Sequence, residues 1–559
     1  MSTFTHLLRE HGRAHPERAA LHLVHAGQPD RPVTTGELLR GAAGWAAVLA
    51  ERGVQPGEVV VLIQRHGIDL VFAYFGTILH GAIPSIMPFL TEKLLPERYR
   101  ADLSSLVSVT RPAAIVTYAE FEREVRSALK EGDSVRAVIL ESEAAAPCEP
   151  DFDSLGGLQR QPDDVVLLQH SSGTTGLQKG VALSHGAVLR QLESYRQAVR
   201  LTGEDVIVSW LPLYHDMGLI AGFLMPILTG VPLVLLSPFE WVRAPARLFQ
   251  AVSRYRGTLT WLPNFAYNFC AQKVRDRDLA EVDLSSWRAV INCSEPMRWE
   301  SHRAFYARFA AYGLRESALA TCYAMAENVF AVTQGGIDAP VTVDEIDREA
   351  LQVERVARPA AGSDGAVKML SAGRPIPGTA VRVVDPDGRD LPERVVGEIA
   401  LRSHCMLSGY YHRPDATARA FIDGWYLTGD FGYLAGGELY ISGRKKDLII
   451  VGGKNIYPQD VEELVMTVAG VHPGRVAAFG VFDDEAGTEE VVVVAELEEG
   501  AGEGEEARQA IADEIRRTVT RGSAVALRHV HLVGPGWMVK TSSGKTARGA
   551  NREKWMKEQ

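Results

Sequence analysis

The sequence is poor in cysteine, with five residues in 559 and no CxxC pair. Cys148, Cys270, Cys293, Cys322 and Cys405 lie far apart. That spacing argues against a zinc knuckle or a disulfide scaffold and for reduced thiols in a cytoplasmic protein. A long unbroken apolar run is also missing. The best stretch, Leu219 to Leu236, is interrupted by Pro226, Gly230 and Pro232. A membrane-spanning helix needs about 20 clean apolar residues, so this segment reads as buried core and no membrane span is expected. The first twenty residues carry charges throughout and have no apolar stretch, which argues against a secretory signal. Positive charge is not in excess either: 59 basic against 70 acidic residues leave a net −11. A general nucleic-acid binder would carry the opposite balance. No segment repeats at a fixed period, which excludes solenoids and propellers.

What is present is ordinary globular composition, 46% apolar and 23% charged, on a chain long enough for several domains. Short apolar runs alternate with helical stretches, the pattern of an α/β protein. Strands are expected at 59–64, 114–118, 137–140, 165–169, 206–210, 232–236, 258–262 and 289–292. Several are apolar throughout, as parallel strands covered on both faces should be. Ser184 is placed to cap a helix whose apolar face is Val188, Leu189, Leu192, Tyr195 and Val199. From about Ala380 the texture changes to short strands joined by tight turns. Asp387-Gly388 and Gly436-Gly437 are good hairpin pairs. The expected fold is therefore α/β. Layered, mostly parallel sheets with helices and a small antiparallel β-barrel subdomain (about 380–441) make up an N-terminal domain, 1–441. A small α+β C-terminal domain, 448–559, opens with a helix from Pro458 and has Gly470 as its stop.

The most informative segment runs from Ser171 to Gly180, SSGTTGLQKG, directly after a strand. Hydroxyls and unhindered glycine amides on a tight turn form a cradle for phosphate oxygens, and Lys179 adds a mobile positive charge. A plain Ser/Gly linker would not need strand-like flanks and a single lysine. The P-loop of NTPases is excluded by spelling, since Gln178 precedes the lysine and Gly180 follows it.

The segment resembles the phosphate loop of the adenylate-forming (acyl- and amino-acid-activating) ligases. Further segments follow in that family's order: LPLYHDMG (211–218), NCSEP (292–296), CYAMAE (322–327), YLTGD (426–430), GRKKD (443–447) and KTSSGK (540–545). Within the family, WLPLYHDMGLI, PNFAY and KNIYPQDVE look most like the fatty acyl-AMP ligase branch. The resemblance implies that a carboxylate and ATP give an acyl-adenylate and pyrophosphate, usually followed by transfer to a thiol. A carboxylate approaching a polyanion needs cations and amide donors set in advance.

By that resemblance Ser171, Ser172, Thr174, Thr175 and Lys179 hold the phosphates of ATP. Glu327, with Thr175, holds the Mg2+ that bridges them. Tyr323 stacks on adenine, flanked by Cys322 and Ala324, and the Ser294-Glu295-Pro296 turn lines the base pocket. Asp430, beside Arg444, accepts the ribose hydroxyls. His215 and Asp216 guide the carboxylate, with Trp261, Asn264 and Met325 along the acyl group. Lys545 is the lysine of a mobile domain that contacts carboxylate and phosphate oxygens during adenylation. Lys446 falls at the hinge, residues 442–447. Taken singly these residues have plainer readings: Glu327 a solvated acid, Tyr323 packing, His215 a structural histidine, Lys545 a solvated charge. Their order in one set of motifs favours function. A general base is unnecessary, because a carboxylate nucleophile is already ionised at neutral pH.

The sequence departs from the family pattern at Gln178, where proline is frequent, and at Ala324, where glycine is common. Trp261 stands where a smaller residue is expected. It is either a core tryptophan or a plug that favours a short, bulky or cyclic acid. Residues 342 to 370 look like an insertion of the fatty acyl-AMP ligase branch, as surface loop or docked lid. In that branch the insertion accompanies poor use of CoA and transfer to the phosphopantetheine of an acyl carrier protein. Complete acyl-CoA synthesis is the alternative, and a phosphotransferase or a non-adenylating binding member are remoter ones. The charge has an address: residues 476–507 hold eleven acids and no Lys or Arg. A charge run of this kind reads first as a solvated face, one that an acidic carrier protein should avoid in favour of Arg516, Arg517, Arg521 and Arg528.

Overall fold

A computed structural model describes residues 2–89, 96–170, 179–360, 362, 365–451, 454–483, 488–523, 525–541 and 544–559. All eight expected strands form, with ends displaced by at most two residues. They divide between two large sheets. In the seven-stranded sheet, Val165–His170, Ile83–Ile86, Val59–Leu62, Ala114–Thr117 and Ala137–Leu140 run parallel. Gly180–Ser184 and Gly409–Tyr410 add an antiparallel edge.

The nine-stranded sheet has a parallel centre in the order Leu319–Ala324, Ala289–Cys293, Leu259–Leu262, Ile207–Ser209, Leu233–Leu236, Ala19–Val24. Central strands such as Leu259–Leu262 and Ala289–Cys293 are buried at every residue, matching their unbroken apolar spelling. One continuous core joins the two sheets and their helices. The helix His185–Ala198 starts where Ser184 predicts, the Ser184 hydroxyl accepting from Ala187 N–H at 3.1 Å.

The stretch 217–236 is buried core. It begins as a π-helix, Met217–Leu224, continues as a short α-helix, Met225–Thr229, and ends as the strand Leu233–Leu236. Among the described residues, no helix is long and apolar enough to cross a membrane.

The strands beyond residue 379 pair antiparallel as expected. Thr379–Val384, Gly397–Ser403, Trp425–Ala435 and Phe421–Ile422 lie side by side, with Glu438–Arg444 also on Trp425–Ala435. Gly436 and Gly437, both at positive φ, make a two-residue hairpin from Ala435 to Glu438. Trp425–Ala435 is the hub of this antiparallel unit, with Gly397–Ser403, Phe421–Ile422 and Glu438–Arg444 as its three partners.

The insertion is neither loose nor purely surface. Val343–Asp347 and Ala366–Leu370 form a hairpin, and Ile346, Leu351 and Ala357 pack with Tyr433, Tyr440 and Tyr457.

From Ile449 onward the chain builds a three-stranded sheet, Val471–Asp483, Thr488–Leu497 and His529–Val533, with its own apolar cluster. The helix from Pro458 ends at Met466, four residues before Gly470, which instead turns the chain into the next strand. The acidic strip is not one solvated face. Glu496 is 1% exposed against Arg475, and Asp483 and Glu490 share Arg528. Arg516 and Arg517 are likewise paired, with Asp513 and Glu514.

Candidate active site

In an open parallel sheet, ligands collect beyond the carboxyl ends of the strands where the chain changes direction across the sheet. In the nine-stranded sheet that point is Ile207–Ser209, which has Leu233–Leu236 on one side and Leu259–Leu262 on the other. The segments expected to carry chemistry leave the sheet at or beside it. His215 and Asp216 follow Ile207–Ser209, Asn264 follows Leu259–Leu262, Ser294 to Pro296 follow Ala289–Cys293, and Met325 and Glu327 follow Leu319–Ala324. Residues 171–178, and with them Ser171, Ser172, Thr174 and Thr175, lie outside the described residues. The strands on either side, Val165–His170 and Gly180–Ser184, are antiparallel neighbours.

Lys545 makes one of the contacts that join the tail to the large body. Its Nζ donates to the Ser294 carbonyl at 2.6 Å. A turn presents it: Thr541 N–H donates to the Lys545 carbonyl at 2.8 Å, and Gly544 supplies positive φ. Ser294 is itself held at φ +69°, the left-handed region that a residue with a Cβ occupies only when its surroundings fix it.

Around this contact sit two carboxylates of opposite tendency. Burial pushes the Asp216 carboxyl up. The hydrogen bond and charge of His215, the charge of Lys545 and the Met217 N–H outweigh that, so its pKa lies below the usual value. His215 Nδ1 is 3.7 Å from Asp216 Oδ1. Glu327 is pushed the other way, chiefly by burial, with the charge of Asp216 adding to it. Its Oε1 accepts the Tyr410 hydroxyl at 2.9 Å. Lys179 Nζ stands 4.5 Å from the centre of the Tyr410 ring, so that ring links the loop lysine to the acid.

Asp430 lies at the far side. The Tyr323 hydroxyl donates to its Oδ2 at 2.7 Å, and Arg444 Nε is 3.4 Å from its Oδ1. Lys446 completes the cationic side. Desolvation, then Arg444 and Lys179, lower its ammonium pKa, partly opposed by Asp447 and Asp430. Tyr323 and Cys322 are successive strand residues and so face opposite sides of the sheet. The Cys322 thiol is buried, and burial followed by its neighbour Cys293 raises its pKa. Ala324 lies at a register shift against Ala331. Met325 N–H closes the turn onto the Phe330 carbonyl.

Two residues expected along the acyl group spend their polar atoms on the protein. Asn264 accepts from Asn292 Nδ2 and from the Arg298 N–H, and donates to Ser301 Oγ. Trp261 Nε1 donates to the Tyr195 hydroxyl at 2.7 Å. Glu295, in the turn expected to line the base pocket, accepts the Phe265 N–H at 2.8 Å. Sequence reasoning missed Tyr410, Tyr195 and Arg298. Arg298 ties the tail to the body through Asp460 at 2.6 Å and Glu463 at 3.3 Å. No local signal marks Arg298; Tyr410 stands in an aromatic pair, Tyr410-Tyr411, after a Ser-Gly turn.

An ATP-binding role fits this donor set: Lys179, Arg444 and Lys446 cluster on one side, and Asp430 can receive hydroxyl donors. Among the described residues, no group of three or more His, Cys, Asp or Glu could hold a metal ion unaided. A single carboxylate suits Mg2+ that arrives with phosphate oxygens.

The family described as AMP-binding enzyme matches residues 8–411. The medium-chain-fatty-acid–[acyl-carrier-protein] ligase JamA of Moorena producens (strain JHB) is 30% identical over 580 residues, covering 99% of this chain and 95% of JamA. The 4-hydroxyphenylalkanoate adenylyltransferase of Mycobacterium marinum is 30% identical over 583 residues, covering 99% of this chain and 91% of that protein. A solved chain from work on the fatty acyl-adenylate ligases of E. coli and L. pneumophila superposes with a TM-score of 0.88 at 27% identity, over 100% of this chain and 98% of that one. The lysine at Ser294, the cationic cluster and Asp430 thus lie in a chain that belongs to the AMP-binding enzyme family and is an adenylate-forming ligase.

Proposed function

We propose that the enzyme activates a hydrophobic carboxylic acid with ATP to an acyl-adenylate and passes the acyl group to the phosphopantetheine thiol of an acyl carrier protein. The observation that carries this reading is Lys545 reaching from the tail to the Ser294 carbonyl, beside Asp216 and its neighbour His215. The acid's carboxylate would take the place of that carbonyl as partner of Lys545. Its oxygen attacks the α-phosphorus as the bond to pyrophosphate breaks. Lys179 and Lys446 stabilise the charge on the departing pyrophosphate, and Asp430 orients the ribose. Tyr323 exchanges its hydrogen bond to Asp430 for stacking on adenine. Glu327, with Thr175, would hold Mg2+, which neutralises phosphate charge when bound.

The second half-reaction needs the tail, residues 448–559, to turn about residues 442–447. Lys446 lies in the turn that follows Glu438–Arg444, where a backbone rotation is absorbed with little disturbance. The insertion supports a carrier protein over free CoA, because it grips the tail. Asn455 Nδ2 donates to the Gln352 carbonyl at 2.8 Å, and Arg355 donates to Asn455 Oδ1 at 3.1 Å. A protein acceptor brings binding energy of its own to offset those contacts.

The test is a panel of carboxylic acids incubated with ATP and Mg2+, alone, with CoA or with a phosphopantetheinylated carrier protein, and read by mass spectrometry. Acyl-AMP with transfer to the carrier protein is expected. Acyl-CoA as main product would convert the reading to an acyl-CoA synthetase, and release of ADP would convert it to a phosphotransferase. Formation of no acyl-AMP would sink it.

A further inference from the structure

The register of the nine-stranded sheet sets a row of side chains beneath the reactive lysine. Trp261 is paired with Ile291, and Ile291 with Ala320; two residues further on, Cys293 is paired with Cys322. In parallel strands paired residues face the same side, and so does every second residue. Trp261, Ile291, Ala320, Cys293 and Cys322 therefore share one face, and Gln334, opposite Cys322 on the antiparallel neighbour, joins them. Ser294, with Lys545 on its carbonyl, stands at the top of this column. Three residue steps separate it from the Trp261 row, roughly 10 Å at the usual strand rise.

The indole at the bottom is fixed. Trp261 is 1% exposed, its Nε1–H donates to the Tyr195 hydroxyl at 2.7 Å, and Tyr195 donates to Gln334 Oε1 at 2.9 Å. Gln334 Nε2 in turn donates to the Thr321 and Gly335 carbonyls at 2.8 and 2.9 Å. The Tyr195 ring meets Phe330 edge-on at 5.4 Å. This relay ties a helix and two strands together around the largest side chain in the row. Elsewhere, Trp210, Trp241 and Trp555 have buried indole N–H groups without such a partner.

The opposite wall is equally tight. The π-helix lies so close to Ile207–Ser209 that a Cβ at Gly222 would be 2.5 Å from Ser209 Oγ. Met217 Sδ, at the start of that helix, is 3.9 Å from Ser294 Oγ.

We propose that Trp261, clamped by Tyr195 and Gln334, is the floor of the acyl pocket, and that the enzyme takes a compact apolar acid, short aliphatic or unsubstituted aryl, in preference to a long straight chain. The inference rests on the adenylation reading above. A long alkyl chain entering from Lys545 would meet the indole after roughly 10 Å. Rotating the indole aside would break the hydrogen-bonded relay behind it. The polar atoms at the floor are spent on one another, so a terminal hydroxyl or amino group would find no partner there and would lose its hydration.

The experiment is pyrophosphate exchange with hexanoate, phenylacetate, 6-aminohexanoate and hexadecanoate, using wild type, Trp261→Gly and Trp261→Leu. Wild type is expected to prefer hexanoate or phenylacetate over hexadecanoate and 6-aminohexanoate by at least about tenfold in kcat/KM. Trp261→Gly should move the hexadecanoate-to-hexanoate ratio upward by about tenfold or more, with Trp261→Leu between. Should Trp261→Gly fail to fold, Trp261→Leu and Tyr195→Phe, which frees the indole from its acceptor, carry the same test of the ratio. A wild type that favours hexadecanoate, or soluble variants whose ratio does not move, overturns the proposal while leaving adenylation intact. Exchange with no acid at all would instead remove the adenylation reading, and this inference with it.

Discussion

The two ends of the site are built on opposite plans. At the nucleotide end, Lys179, Arg444, Lys446 and Asp430 are charged groups gathered at loop and strand ends, with Lys179 over the Tyr410 ring and Asp430 shared between the Tyr323 hydroxyl at 2.7 Å and Arg444 at 3.4 Å. At the acyl end, Trp261, Tyr195 and Gln334 form a buried relay whose links are all 2.9 Å or shorter. The first must receive and release a polyanion, so its charges need partners they can exchange. The second needs only a constant shape, and a closed set of hydrogen bonds gives it one. Lys545 belongs to neither plan; it comes from a separate part of the chain and bridges them.

That difference can be broken at the bridge. Lys545→Ala should lower pyrophosphate exchange by about two orders of magnitude, about 3 kcal/mol, while ATP binding measured by calorimetry persists. Wild-type exchange in this variant would show that the lysine is only a tether. A smaller effect is expected at Arg298. Its charge, favoured by Asp460 and Glu463 despite burial, fixes the tail against the large body. Arg298→Ala should cost the docked arrangement about 2 kcal/mol, seen as faster proteolysis between the two parts and reduced exchange.

At the acyl end, Tyr195→Phe should lower global stability by about 1.5 kcal/mol, because the indole N–H and Gln334 Oε1 lose their partner inside the core. The nucleotide end should answer with the reverse sign. Glu327 binds its proton more tightly folded than unfolded, so stability is lost as pH rises through its folded pKa. Glu327→Gln is therefore expected to raise the melting temperature at neutral pH while removing Mg2+-dependent exchange. The gain should vanish below the ordinary glutamate pKa of about 4.3. A melting temperature that falls at neutral pH would show that the carboxylate is structural.

Most of the fold was legible because its signals are local. Unbroken apolar runs gave the parallel strands, Ser184 gave its helix, and Gly436-Gly437 gave its hairpin. The residues expected at the nucleotide end could be named for the same reason, since each sits in a short contiguous motif. The relay behind the acyl end was not. Trp261 and Tyr195 are 66 residues apart, and Tyr195 and Gln334 are 139 apart, so their meeting depends on strand register and helix placement. The acidic strip looked solvated because its counter-charges, Arg475 and Arg528, lie outside it in sequence.

The carbonyl of Ser294 has one more consequence. A free lysine side chain explores many rotamers, and stilling one takes up to about 2 kcal/mol in lost conformational entropy. With its ammonium already resting on that oxygen, Lys545 has surrendered this freedom before any acid arrives. The substrate then replaces a neutral acceptor with a charged one at a site that is already ordered, and the ordering term drops out of the encounter.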